Sequence, residues 1–99
     1  VAQDILDAYP IDRHRQLLDV GGGEGAFVEF TAARTSRVAL RLFELPAVAA
    51  RARTRLARAG LQDRVSIVAG DMFRDRLPTG ADLISLVRVL HDHDDDAVH

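Results

Sequence analysis

Leu17-Leu18-Asp19-Val20-Gly21-Gly22-Gly23-Glu24-Gly25 decides how this chain is read. It is a short apolar strand that runs into a glycine turn and then into a helix starting near Gly25. Glycine reaches positive φ and lets another molecule approach the backbone closely. The helix behind the turn presents free N–H groups and the positive end of its dipole. The stretch is therefore a place to hold a ligand against bare backbone.

Upstream, Val1 to Tyr9 carries apolar residues at 1, 2, 5, 6 and 9, a helical spacing that Pro10 stops. Ile11 to Arg15 is a short connector, and Gln16 to Val20 is the first strand. Downstream, a helix over Gly25 to Ala33 is predicted to turn Ala26, Phe27, Phe30 and Ala33 toward a sheet. Arg37 to Phe43 is the second strand. Its Val38, Leu40 and Leu42 alternate with Ala39, Arg41 and Phe43, and apolar residues on both faces suit a sheet covered by helices on both sides. A second helix runs from Pro46, where a first-turn proline is tolerated, to about Ala59, with Gly60 as its closing glycine. Its apolar stripe is Val48, Ala52, Leu56 and Ala59, and Arg51, Arg55 and Arg58 lie on the other face. Val65 to Ala69 is the third strand, Gly70 to Phe73 a loop, Pro78-Thr79-Gly80 a turn, and Ala81 to Val87 the fourth strand, with Leu90 onward as its exit. The run Asp94-Asp95-Asp96 suits the first turn of a further helix. The alternation of helix and strand predicts an α/β fold with a parallel sheet and right-handed crossovers, a Rossmann-like half.

Composition sets the bounds. Ninety-nine residues make one small domain with a marginal core. The formal net charge of -2 gives no electrostatic case for nucleic acid or an anionic membrane as partner. All 13 basic residues are arginine, which reads as a coding bias. The absence of cysteine excludes a disulfide framework, a Cys-based zinc site and a thiol nucleophile. No apolar run approaches a membrane span, and no signal peptide opens the chain, so a cytoplasmic protein is expected. The chain starts inside a helical pattern without an initiator Met and stops one turn into another. The expectation is a piece of a longer enzyme.

In an open α/β sheet, ligands bind beyond the carboxyl ends of the strands. The first strand ends in the glycine turn. The second ends at Glu44, 23 residues after Gly21, where an acidic residue is expected to take a ribose diol; its alternative is a solvated carboxylate ahead of the second helix. The glycines satisfy both a GxGxG pattern and, through Gly21, Gly23 and Ala26, the looser dinucleotide fingerprint, so a nicotinamide or flavin ligand stays open. Glu24 adds negative charge beside an anion site, which suits a cationic ligand better than a pyrophosphate. The third strand ends at Asp71, placed to accept an adenine amine with Met72 and Phe73 against the ring; the alternative is an aspartate that starts a turn with two core-facing neighbours. After the fourth strand come Arg88, either at the cofactor or covering the sheet end, and His91 with Asp92. A neutral imidazole takes a proton from a hydroxyl near pH 7, and Asp92 would orient it. His91, His93 and His99 with the Asp run also allow a metal site, although the acids are better explained as a helix start, and no metal is assigned.

Together these stretches resemble a known family. Leu17 to Gly25, then Phe43-Glu44-Leu45-Pro46, then Gly70-Asp71-Met72-Phe73, then Arg88-Val89-Leu90-His91-Asp92 look like the S-adenosylmethionine-dependent O-methyltransferases of the caffeate/acetylserotonin/hydroxyneurosporene type. Leu83 to Leu90 and Asp92-His93-Asp94 are most similar to the bacterial carotenoid members, which act on hydroxyneurosporene or demethylspheroidene. The resemblance covers about Gln16 to Val98. It implies S-adenosylmethionine as cofactor, with Gly21 and Gly23 passing its methionine part, Glu44 on the ribose, and Asp71 and Met72 on the adenine; Arg88 is placed with the cofactor residues by its position alone. It implies His91 as general base, a hydroxyl acceptor that is a carotenoid alcohol or a phenol, and strands ordered 3-2-1-4. It also implies flanking parts outside residues 1–99: an N-terminal dimerisation domain, making the full-length protein a homodimer, and a C-terminal part that completes the sheet. The family usually has Asp where Glu44 stands, often Trp at His93, and often a small polar residue at Glu24.

Overall fold

The computed structural model describes residues 11–86 and 89–92, with the backbone course alone for 89–92. The predicted helix over Val1 to Tyr9, Arg88, and the Asp94–Asp96 helix start lie outside the described residues. The apolar run before the glycines forms β1 (Gln16–Val20), and it is the middle of the sheet. β1 pairs in parallel with β2 (Ala39–Glu44) on one side and with β4 (Leu83–Leu86) on the other; β3 (Val65–Ala69) pairs in parallel beyond β2. A strand with neighbours on both edges and cover on both faces is mostly apolar, and Leu17, Leu18 and Val20 are all buried, with Asp19 the one buried charged side chain among them. The parallel strands follow the expected order 3-2-1-4. A fifth strand, β5 (Val89–Asp92), lies outside β4 and runs antiparallel to it. The predicted fourth strand is thus shorter than Ala81–Val87, and the segment read as its exit turns back along its edge.

Two helices connect the strands, α1 (Ala26–Arg34) and α2 (Pro46–Arg58). Both lie on the same face of the sheet. Phe27 and Val28 of α1 and Ala52 and Leu56 of α2 share one core with Leu17, Leu40, Leu42 and Leu83. On the other face Leu18, Val20, Phe43 and Ile84 meet Leu77 and Ala81 from the β3–β4 crossover. Among the described residues the helical cover thus lies on one face, and the predicted helix over Val1 to Tyr9 falls outside them. The β3–β4 connection passes β2 and β1 as loop and turn, and two apolar side chains of that loop do the covering.

The buried faces of the helices are rotated from those predicted. In α1 the buried residues are Phe27, Val28 and Thr31, while Ala33 is exposed. Thr31 enters the core because its hydroxyl donates to the Phe27 carbonyl one turn earlier, at 2.8 Å, which satisfies that hydroxyl inside the helix. Phe30 is half-buried, with the Arg34 guanidinium 4.9 Å over its ring. In α2 the stripe is Ala49, Ala52 and Leu56; Ala59 is exposed at the helix end. The helix closes as expected at Gly60, φ 74°, with Gly60 N–H on the Ala57 carbonyl at 3.0 Å and Leu61 N–H on the Leu56 carbonyl at 2.8 Å. Arg64 donates to the carbonyls of Thr35 at 2.7 Å and Val38 at 3.3 Å, placing a cation where the end of α1 leaves carbonyls over.

The amino ends of β1 and β4 are held by one carboxylate. Asp82 accepts from Gln16 N–H at 2.9 Å and from Arg15 N–H at 3.1 Å, and His14 Nδ1 lies 3.3 Å away. Burial pushes this carboxyl up. The backbone N–H groups of Gln16, Arg15 and Asp82 itself, followed by the charge of His14, outweigh burial and set the pKa below its ordinary value. A depressed folded-state pKa contributes stability that is fully present above the unfolded value of about 3.9 and is lost as pH falls through the lowered value. Asp82→Asn is expected to flatten this acid limb. Denaturant titrations between neutral pH and pH 3 check it: variant and wild type converge toward the acid end and differ at neutral pH.

Candidate functional site

The glycine turn needs its glycines for two separate reasons. Gly21, Gly23 and Gly25 sit at φ 66°, 69° and 96°, a left-handed region costly for other residues. Gly22 is not in that region; a Cβ there would run into the carboxylate of Asp19. Asp19 is buried directly beneath the turn, at 1% exposure, so it has little room to yield. Gly25 begins α1 without a side-chain cap, leaving the first turn of the helix to backbone alone.

The parallel ladder continues past the strand ends and lines up three loops. Gly21 N–H donates to the Phe43 carbonyl at 2.9 Å, and Gly70 N–H donates to the Glu44 carbonyl at 2.9 Å. The turns after β1, β2 and β3 are thus adjacent. They enclose a cavity of about 180 Å³, lined by Gly21, Phe43, Glu44, Leu45, Met72 and Phe73, with Gly70 and Asp71 at its wall. A larger hollow of about 620 Å³ lies on the outer helix surface. There Arg51 of α2 pairs with Glu24 of the glycine turn at 3.5 Å and Arg55 of α2 with Glu29 of α1 at 2.7 Å, both in solvent, so it is a charged outer seam rather than a strand-end site. The Arg51 contact also means that Glu24 is partly balanced, which weakens its charge as an argument against a phosphate.

Glu44 sits at the centre of the cavity wall. Its Oε2 accepts from Gly23 N–H at 2.8 Å and its Oε1 from Leu45 N–H at 2.9 Å. A carboxylate has further lone pairs, so ribose hydroxyls have acceptors left. The Asp71 carboxylate accepts from Phe73 N–H at 2.9 Å through Oδ1, and Arg74 Nε stands 3.9 Å from Oδ2. Asp71 thus does start a turn, as the structural alternative had it. The core-facing part of that alternative does not hold, since Met72 is 38% and Phe73 89% exposed. The Met72 sulfur instead lies 3.8 Å from where a Cβ on Gly21 would be, over the glycine turn.

Gly21, Glu44, Asp71 and Met72 are therefore gathered at one cavity, and Gly23 is tied to it through its N–H on Glu44 without lining it. Arg88 lies outside the described residues. His91 and Asp92 belong to β5, where His91 pairs in register with Ile84 and Asp92 with Leu83. The position expected for His91, just past the fourth strand, is corrected: its backbone is set back along the β4 edge, because β5 runs antiparallel to β4. No group of acidic or histidine residues able to hold a metal occurs among the described residues, and the His93 and His99 alternative lies outside them. Sequence reasoning missed Leu45, half-exposed on the cavity lip, and Asp75, whose carboxylate takes the Asp71 N–H at 2.8 Å. An apolar residue squeezed between Glu44 and a helix-starting proline was the available signal for the first. Gly22→Ala is expected to cost about 1–3 kcal/mol from overpacking against Asp19. A denaturant titration reads this, and an unchanged midpoint would mean that the carboxylate swings aside freely.

Comparison with known proteins agrees with this geometry. A family model described as an O-methyltransferase domain matches residues 1–99. Demethylspheroidene O-methyltransferase of Cereibacter sphaeroides is 47% identical over 98 residues, covering 99% of this chain and 26% of the relative. Acetylserotonin O-methyltransferase of Rattus norvegicus is 44% identical over 93 residues, covering 94% of this chain and 21% of the relative. A solved structure of PigF with SAH superposes with a TM-score of 0.81 at 33% identity, over 85% of this chain and 25% of that one. The chain thus spans about a quarter of the length of the curated relatives it matches. The dinucleotide alternative, open on the glycines alone, gives way to this match: the chain belongs to the O-methyltransferase domain family.

Proposed function

We propose that this chain is the S-adenosylmethionine-binding core of an O-methyltransferase acting on a hydroxyl of a small or lipophilic acceptor. The observation that carries the reading is the meeting of the glycine turn, Glu44 and Asp71–Met72 at one cavity beyond three parallel strand ends, in a chain of this family. In this reading the bare turn leaves space for the amino-acid end of the ligand. Glu44 accepts the ribose hydroxyls. Leu45 and Met72 supply apolar surface to the adenine, and the free side of Asp71 accepts its amine. Arg88 stands with this group by sequence position.

The bound sulfonium supplies an electrophilic methyl carbon. Methyl transfer to the acceptor oxygen would release the hydroxyl proton, and the His91 imidazole would take that proton, with Asp92 as its orienting partner. Support for His91 is its place on the strand that follows β4 and the neutrality of an imidazole near pH 7. With its backbone opposite Ile84, the role requires the segment after Leu86 to present the ring at the strand ends during turnover. Most of the remaining acceleration comes from holding the two reactants in line. The demethylspheroidene relative favours a carotenoid alcohol as the first acceptor to try, with phenols second. Flanking domains and a homodimer belong to this reading through the family alone.

Calorimetric titration of the intact protein is expected to show binding of S-adenosylhomocysteine and none of NADH; the reverse result would sink the reading. His91→Ala is expected to lower the turnover number by about 10²–10⁴-fold while leaving S-adenosylhomocysteine affinity unchanged. A variant that keeps its rate would move the base elsewhere. Cofactor binding without turnover of any hydroxyl acceptor would favour a non-catalytic cofactor-binding module.

A further inference from the structure

The tip of the glycine turn is not held by packing. A Cβ on Gly23 would meet nothing within 4 Å, and its φ of 69° is one that no neighbouring side chain enforces. What reaches it is the Glu44 carboxylate, at 2.8 Å from the Gly23 nitrogen. The other oxygen of the same carboxylate is fixed by Leu45 N–H at 2.9 Å. The carboxylate is therefore a strut between the end of β2 and the turn after β1, built from two charge-assisted hydrogen bonds. Its reach depends on side-chain length. An aspartate at this position would fall short by about one carbon–carbon bond, roughly 1.5 Å, which takes the Gly23 contact beyond hydrogen-bond distance.

We infer that Glu44 is a positioning residue for the glycine turn as well as an acceptor for the ribose, so that one side chain couples recognition of the nucleoside and amino-acid ends of the ligand. The inference rests on the proposed cofactor reading for its ligand and on the two hydrogen bonds for its strut. When the hydroxyls bind, they take lone pairs on a carboxylate already tied to Gly23. Ribose binding then tightens the part of the turn that passes the amino-acid end. Glu44→Asp separates the two roles, since it keeps the charge for the diol and gives up the reach to Gly23.

Two measurements on the intact protein test this. The first needs no ligand: hydrogen exchange by mass spectrometry on the peptide holding Gly21–Gly25. Glu44→Asp is expected to speed exchange there by about ten-fold or more, the scale of one lost hydrogen bond to a charged group, with peptides of α2 unchanged as a control for folding. Equal exchange in both proteins overturns the strut. The second compares S-adenosylhomocysteine with 5′-methylthioadenosine, which lacks the amino-acid end. Glu44→Asp is expected to weaken the former about ten-fold more than the latter; an equal loss for both overturns the coupling and leaves Glu44 a ribose acceptor only. If neither ligand binds the wild type, the cofactor reading falls and the coupling with it, while the exchange result still decides the strut.

Discussion

The carboxyl end of β1 is the constraint on which the rest depends. β1 has a parallel neighbour on each edge and apolar cover on each face, so it cannot shift or slip without exposing Leu17, Leu18 or Val20. Its last residues include a buried aspartate, Asp19, directly under the place where the chain must turn into α1. A side chain at Gly22 has no room, and three further positions need left-handed backbone. The turn is thus forced to be bare, and a bare turn beside a helix start is what a ligand with a charged amino-acid end can approach.

The two edges of the sheet divide the work. At the amino ends, Asp82 gathers the backbone of Arg15 and Gln16 and the ring of His14, so these groups are spent on one another. At the carboxyl ends the polar groups are only partly satisfied from within. Glu44 and Asp71 each accept backbone N–H bonds and keep acceptor capacity, and Leu45, Met72 and Phe73 stay uncovered. Exposed apolar side chains beside available acceptors are the combination that a nucleoside needs, flat surface for a base and lone pairs for hydroxyls. The same residues at the amino ends would only lower stability.

Several features follow from chemistry that no periodicity reports. Thr31 is buried because its hydroxyl finds a carbonyl in its own helix, which turns α1 by about one residue from the face that Ala33 suggested. Arg64 is spent on the carbonyls beyond α1, so one arginine of a chain rich in them is structural. Both helices pack on one face because each returns its chain to a strand on the same side of β1, and the step to β4 crosses the other face without a described helix.

By itself, the sequence determined the alternating α/β class, the three parallel strands around β1 to within two residues at each end, the Gly60 helix stop and the residues that would line the strand ends. These are local properties: an apolar run, a glycine series, a proline and an acidic residue each act within a few positions of themselves. Only the tertiary structure decided the rest. It brought Glu44 to Gly23 across two strands, set Asp19 under Gly22, opened Phe73 to solvent and laid Val89–Asp92 back along β4 in place of a simple exit. None of these follows from the periodicity of a single segment, and the Glu44–Gly23 bond depends on a partner in another turn of the chain. Pairing between strands, not the spacing within one, fixes which side chains share a cavity.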